Sequence, residues 1–157
     1  MTAKKSAFTL VEILIVVIIL GILAAIVIPQ FTEASNDARQ SALASDLQTV
    51  RSQIELFKVQ HNDMVPGCKR TSGTVGSWDA AVMVTQLTSK TDVDGNVSTS
   101  GTYGPYLQKF PSNPFASTKA NEVVGGSSNP ADGKTGWYYD AAGTGKFSPA
   151  DAKNKDL

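Results

Sequence analysis

One cysteine, Cys68, and one histidine, His61, are all the thiol and imidazole that the 157 residues contain. That pair excludes an internal disulfide framework and a Cys/His zinc cluster. With a single His there is at most one Ser/His/Asp combination, and no phosphate loop or paired-carboxylate pattern stands out. A Cys68 nucleophile would need His61 as its base; the plainer reading is a small buried residue near an ordinary histidine. Asp92, Asp94 and Asn96 offer oxygens at alternate positions, as calcium ligands do. The run is shorter than an EF-hand loop, and residue 103, where that loop would place its Glu, is Tyr. A solvated turn is therefore expected there, with no metal, no other cofactor and no enzymatic activity. The remaining residue of chemical interest is Glu12, an acid at the edge of a long uncharged run.

That run sets the first structural demand. No charged residue occurs from Ile13 to Thr32. About twenty helical residues rise about 30 Å, the thickness of a bilayer's hydrocarbon core. A transmembrane helix is expected, with Lys4 and Lys5 before it predicting a cytoplasmic N-terminus. A cleaved secretory signal is the rival reading, but its apolar core is shorter, and Pro29-Gln30-Phe31 is not a small-x-small cleavage site. Lys plus Arg and Asp plus Glu each number 14, so the net charge is zero. A broad basic surface for nucleic acid is excluded. Glu12 either faces water at the headgroups or pairs with a cation from a neighbouring chain, because an acid deep in lipid costs about 2.5–3.5 kcal/mol.

Lys4-Lys5-Ser6-Ala7 followed by Phe8-Thr9-Leu10-Val11-Glu12 resembles the class III signal of type IV prepilins and type II secretion pseudopilins. Gly21 and Pro29 within the apolar run are also similar to that family's N-terminal helix. The resemblance covers about residues 1–60. It implies cleavage between Ala7 and Phe8 by a prepilin peptidase, N-methylation of the new Phe8 amine, and pairing of Glu12 with the Phe8 amine of an adjacent subunit. Ala7 stands where the family usually has Gly, which implies slower processing. Removing the leader leaves two more acidic than basic side chains. Gly21 and Pro29 weaken helix hydrogen bonding and propensity, and the resemblance implies that the stretch between them loosens during assembly.

The elements that position these residues follow in order. A leader at 1–7 precedes one long helix over 8–61, transmembrane over about 8–32 and amphipathic over about 33–61. Phe31, Ala34, Ala38, Leu43, Leu47, Val50, Ile54 and Phe57 recur at spacings of mostly three and four, and form an apolar stripe. Asp37, Arg39, Gln40, Asp46, Gln48, Arg51, Gln53 and Lys58 lie on the other face. The stripe is expected to pack under the chain's own C-terminal domain. The helix is predicted to end near His61–Met64, before Pro66-Gly67.

Residues 62–157 form a turn-rich head: twelve of the thirteen Gly and six of the seven Pro lie beyond residue 64. A short helix is predicted over Trp78–Leu87 with Ser77 as N-cap. A turn is predicted at Thr91–Asn96 and an extended segment at Tyr103–Pro111. Strands are predicted at Glu122–Val124 and Gly136–Asp140, with Lys146–Phe147 folding back onto Trp137–Tyr139. The fold class is α+β: a long helix against a small antiparallel sheet that buries Val123, Val124, Trp137, Tyr139 and Phe147. Gly104-Pro105-Tyr106-Leu107, Phe110-Pro111-Ser112-Asn113-Pro114-Phe115 and Gly136-Trp137-Tyr138-Tyr139 are similar to the heads of major pseudopilins. That family's C-terminal calcium loop does not align here and is not carried over.

The resemblance implies a structural subunit of a homo-oligomeric helical filament in a type II secretion-like system. Its partners would be the prepilin peptidase, an inner-membrane assembly platform, a cytoplasmic ATPase and minor pseudopilins. It would sit in the inner membrane before assembly and in a periplasmic or cell-surface filament afterwards. Two alternatives stand beside it. One is the major subunit of a true type IV pilus for adhesion, motility or DNA uptake, the one case in which nucleic acid would be a partner. The other is a single-pass anchored periplasmic binding domain.

Overall fold

The computed structural model describes residues 9–157. Helix α1 runs Leu10–Gln60, followed by strands β1 (Arg70–Thr71) and β2 (Thr74–Val75), helix α2 (Ala80–Thr88), and strands β3 (Lys119–Gly125), β4 (Thr135–Tyr139) and β5 (Phe147–Pro149). This is the α+β layout the patterning predicts. The chain divides into two compact units between Gln40 and Ser41.

The first unit holds the apolar part of α1. Its large side chains from Leu10 to Phe31 are exposed, Leu10 by 81% and Phe31 by 73%. Ala34 and Ala38 are exposed too. The stripe expected to lie under the head therefore begins only at Leu43.

In the second unit Leu43, Leu47, Val50, Ile54 and Phe57 are buried along one face of α1. They join Met83 and Leu87 of α2, Val123, Trp137, Tyr139 and Phe147 of the sheet, and Leu107 and Phe110 of the intervening loop in one core. Trp137 and Phe147 stack at 5.2 Å between ring centroids, and Phe110 meets Phe147 edge-on at 6.2 Å. Val124 is only half-buried. Arg51, assigned by periodicity to the polar face, bends back so that its Nε donates to the Phe147 carbonyl at 2.9 Å.

The sheet order is β3-β4-β5. The predicted return of the chain is present: β5 pairs antiparallel with β4, Tyr139 opposite Phe147. The turn between them closes on Asp140, whose carboxylate accepts from Gly143 N–H, Thr144 N–H and the Thr144 hydroxyl. β3, however, runs parallel to β4, so the sheet is mixed rather than wholly antiparallel. The reason lies in the connection 126–134, which does not turn as a tight hairpin. Asn129 Nδ2 donates to the Ser148 hydroxyl and the Pro149 carbonyl, fastening this connection to β5 and carrying the chain back to the start of the sheet. The β3–β4 register is irregular between Lys119 and Val123. Asn113 bridges the interruption: its N–H donates to Ala120 O and its Nδ2 to Gly136 O, both at 2.8 Å. A side chain at Gly136 would fall on the Ala120 carbonyl, so glycine is required there.

Helix α2 starts two residues later than predicted. Its N-cap is Asp79, whose carboxylate accepts from Val82 N–H at 3.0 Å. Trp78 is drawn out of the helix because its indole N–H donates to the Pro66 carbonyl and its ring lies over Gly67 and Gly125. The 103–111 segment, expected to be extended, is irregular. Tyr106 and Leu107 N–H both donate to the Leu87 carbonyl, which anchors the loop on the end of α2.

Tyr139 combines full burial with a hydroxyl that has no hydrogen-bond partner among the described residues. Burial, helped by the nearby Glu55, Cys68 and Asp140, pushes its ionisation up to about 12. An unfolded tyrosine ionises near 10. The folded state thus favours the protonated ring, and that contribution is complete below about pH 10 and lost as pH rises through about 12. Tyr139→Phe removes an unsatisfied buried group. Denaturant melts of the detergent-solubilised chain should show the variant at least as stable as the parent at pH 7, and should show less loss of stability for it between pH 10 and 12.

Candidate assembly site at the start of the long helix

Thr9 stands just before α1 and Glu12 lies in its first turn. Thr9 N–H and the Thr9 hydroxyl donate to Glu12 Oε2 at 2.9 and 2.8 Å, and Glu12 N–H donates back to the Thr9 hydroxyl at 3.2 Å. This is a reciprocal capping box, built by Thr-x-x-Glu at the mouth of a helix. The pattern Thr9-Leu10-Val11-Glu12 was present in the sequence, where Glu12 drew attention for its charge and not for its place in a cap.

The cap has two consequences. It supplies acceptors for helix-start N–H groups that would otherwise go unpaired, which matters most where water is absent. It also fixes the carboxylate at the helix mouth, where acidic charge is favoured. Both Thr9 bonds go to Oε2; Oε1 takes no bond among the described residues. The cleavage position between Ala7 and Phe8, and the Phe8 amine itself, lie outside the described residues.

Beyond the cap, α1 continues unbroken through Gly21 and Pro29. Pro29 has no N–H to give the carbonyl one turn back. Among the described residues, nothing beyond the local helix backbone lies within 4 Å of where a Gly21 Cβ would stand. The helix contains a stretch long and apolar enough to cross a bilayer, judged by length and composition, with a mean hydropathy of 3.3.

The other candidate residues belong to the second unit. His61 is buried and stacks on Phe57 at 3.8 Å. Its Nδ1–H donates to the Phe57 carbonyl at 2.8 Å, which leaves Nε2 to accept from the Thr91 hydroxyl at 3.0 Å. Both ring nitrogens are engaged. Cys68 is buried, and burial pushes its thiol ionisation up, away from a reactive thiolate. Asp92 Oδ1 accepts from the N–H groups of Asp94 and Asn96, both at 2.9 Å, so it closes the turn predicted there. Among the described residues no three His, Cys, Asp or Glu side chains converge as a metal site would require.

Comparison with known proteins bears on the same end of the chain. Residues 2–28 match the prokaryotic N-terminal methylation motif. The type II secretion system core protein G of Pseudomonas aeruginosa is 36% identical over 58 residues, 37% of this chain and 41% of that protein. The type IV narrow pilus major component PilA5 of Thermus thermophilus is 35% identical over 65 residues, 41% of this chain and 55% of that one. The competence protein ComGC of Streptococcus pneumoniae is 34% identical over 61 residues, 39% of this chain and 56% of that one. The chain thus spans between about two fifths and just over half the length of these relatives. No solved structure matches.

The cap generates a direct test. Replacing an N-cap Thr by Ala costs about 1 kcal/mol. Thr9→Ala should speed hydrogen exchange of the amides in the first turn of α1 by about fivefold, the factor equivalent to that energy, and leave exchange of α2 and the sheet unchanged. The methylation motif over residues 2–28, with stretches of 58 to 65 residues at 34–36% identity to a secretion core protein, a pilus component and a competence protein, makes the chain similar to pilins and pseudopilins over those stretches.

Proposed function

We propose that this chain is a structural subunit of a helical filament of a type II secretion-like system. The observation that carries the reading is the joint occurrence of the methylation motif, the capped Glu12 and an apolar helix exposed on all sides. In this reading the chain is inserted in the inner membrane with its N-terminus cytoplasmic. A prepilin peptidase cuts between Ala7 and Phe8, and the Phe8 amine is methylated. Subunits then leave the bilayer by way of an assembly platform driven by a cytoplasmic ATPase, with minor pseudopilins as further partners. The filament is periplasmic or at the cell surface.

The electrostatics support this sequence of events. When the apolar helices leave lipid they pack against one another, and Glu12 enters a medium of low dielectric constant. An uncompensated buried charge there costs about 3–5 kcal/mol. No Lys or Arg lies between Phe8 and Asn36, so the nearest cation a neighbour can supply is its amino terminus. The charge pair fixes the axial step between subunits while the apolar surfaces supply the adhesion. Gly21 and Pro29 mark the stretch that gives way as the helices pack. The reading calls for no cofactor and no catalytic group, consistent with the structural use of His61, Cys68 and Asp92. The likeness to a narrow pilus major component favours one second reading, the main subunit of a true type IV pilus.

Two measurements test the proposal. Glu12→Ala should insert in the membrane at the parent level but yield no filaments in sheared or periplasmic fractions; assembly at the parent level would sink the electrostatic role. The intact mass of chain extracted from its own membranes should correspond to a start at Phe8 with one added methyl. A retained Met1, or a cut after Pro29, would overturn the reading.

A further inference from the structure

The turn from Thr91 to Val97 plays no part in assembly as described, and its two sides differ. The inner side is fixed. Gly95 is buried at a φ of 76°, and a side chain there would meet the Met64 methyl at 2.6 Å. The buried Gln86 amide donates to the Gly95 and Cys68 carbonyls, each at 2.7 Å. Antiparallel bridges join Thr91 to Val97 and to Tyr103. The outer side is open. Asn96 is exposed, the Asp94 side chain is 47% exposed, and the valines that flank the tip, Val93 and Val97, are 42% and 43% exposed.

The open side reads Asp94-Gly95-Asn96-Val97-Ser98. Asparagine, a residue other than proline, then serine is the acceptor pattern for N-linked glycan transfer, which needs a surface loop on a translocated domain. Asp94, two residues ahead, adds a half-exposed carboxylate, 4.0 Å from Arg70 Nη1, that a cation on a transferase can grip in place of that long contact. The groups that must engage the enzyme are lightly held. Among the described residues, Asn96 Nδ2 meets only Asp92, at 3.2 and 3.4 Å, and the Ser98 hydroxyl meets only Ser100, at 3.0 Å to its Oγ and 3.3 Å to its N–H.

We propose that Asn96 accepts an N-linked oligosaccharide from a polyprenyl-diphosphate-linked donor after the head has crossed the membrane. The proposal rests on the translocated head of the assembly reading. In the transfer, Asn96 Nδ2 attacks the anomeric carbon of the donor sugar. The N–C bond forms as the C–O bond to the diphosphate breaks. The lipid diphosphate leaves with the electron pair, and one Nδ2 proton passes to a base on the transferase. The attached sugar stands on the solvent side of a turn whose inner side is clamped by Gln86, and it screens Val93 and Val97 from water.

Trypsin releases residues 91–109 as one peptide, because no Lys or Arg lies between Lys90 and Lys109. In protein recovered from its own cell envelope this peptide should carry the added mass of a sugar chain, located on Asn96 by fragmentation. The increment should vanish in Asn96→Gln and in Ser98→Ala, and its occupancy should fall in Asp94→Ala. Chains that begin at methylated Phe8 yet give the unmodified peptide overturn this proposal and leave the assembly reading standing. Sugar on Ser98, Thr99 or Ser100, or sugar that persists in Asn96→Gln, overturns it as well. Chains that keep Met1 but carry the sugar on Asn96 overturn the assembly reading alone.

Discussion

A helix that is apolar on every face cannot present a stable surface to water, and residues 10–31 of α1 form such a helix. Each large side chain there is about half exposed or more, apart from Val27 at 41%. Among the described residues the core begins only at Leu43. This segment must therefore find another solvent, and lipid and a bundle of like helices are the two that suit it. Both are dry, and dryness raises the cost of every unpaired polar group. The Thr9–Glu12 cap meets that cost within one chain. It pairs helix-start N–H groups and holds the carboxylate in one orientation, so the one acid between Leu10 and Phe31 is also the group that caps the helix.

From Leu43 onward the same helix obeys another rule. One stripe is apolar and the rest is polar, so α1 serves as the missing layer for a sheet too small to stand alone. Three short strands cannot enclose a core by themselves. Trp137, Tyr139 and Phe147 supply the bulk, Met83 and Leu87 close one side, and the helix stripe closes the other. Arg51 adds a direct bond from α1 to β5. A change at Leu47 or Ile54 would therefore be felt in the strands as much as in the helix.

Much of this was legible in the residues. The change from wholly apolar to striped, and the spacing of Leu43, Leu47, Val50, Ile54 and Phe57, fix what α1 is and which face it buries. The aromatic run Trp137–Tyr139, with a glycine-rich turn before Phe147, marks the β4–β5 pair. Other features depended on contacts remote in sequence. Nothing local marks β3 as parallel, since its direction follows from Asn129 fastening the 126–134 connection to β5. Nothing local removes Trp78 from α2, since the Pro66 carbonyl and the gap over Gly67 and Gly125 do so. Phe31, Ala34 and Ala38 fit the stripe by spacing alone, yet spacing does not say how far a head reaches. At the assembly end the charge of Glu12 was plain, while its bond to Thr9 needed the capping rule as well as the charge rule.

The head's polar interior ties its irregular segments together. His61 is tied to Phe57 and Thr91, Gln86 to Gly67, Cys68 and Gly95, and Asn113 to Ala120, Gly136 and Asp151. Asp151 in turn accepts from Asn154. These are the residue types from which an active site would be assembled, and here each fastens one loop to another. Irregular backbone makes up most of residues 89–118, and these side chains supply the hydrogen bonds that a longer sheet would have provided. Tyr139 is the exception, its buried hydroxyl taking no partner among the described residues. The other pairings hold the loops of the head in one arrangement, an order that the filament reading calls for.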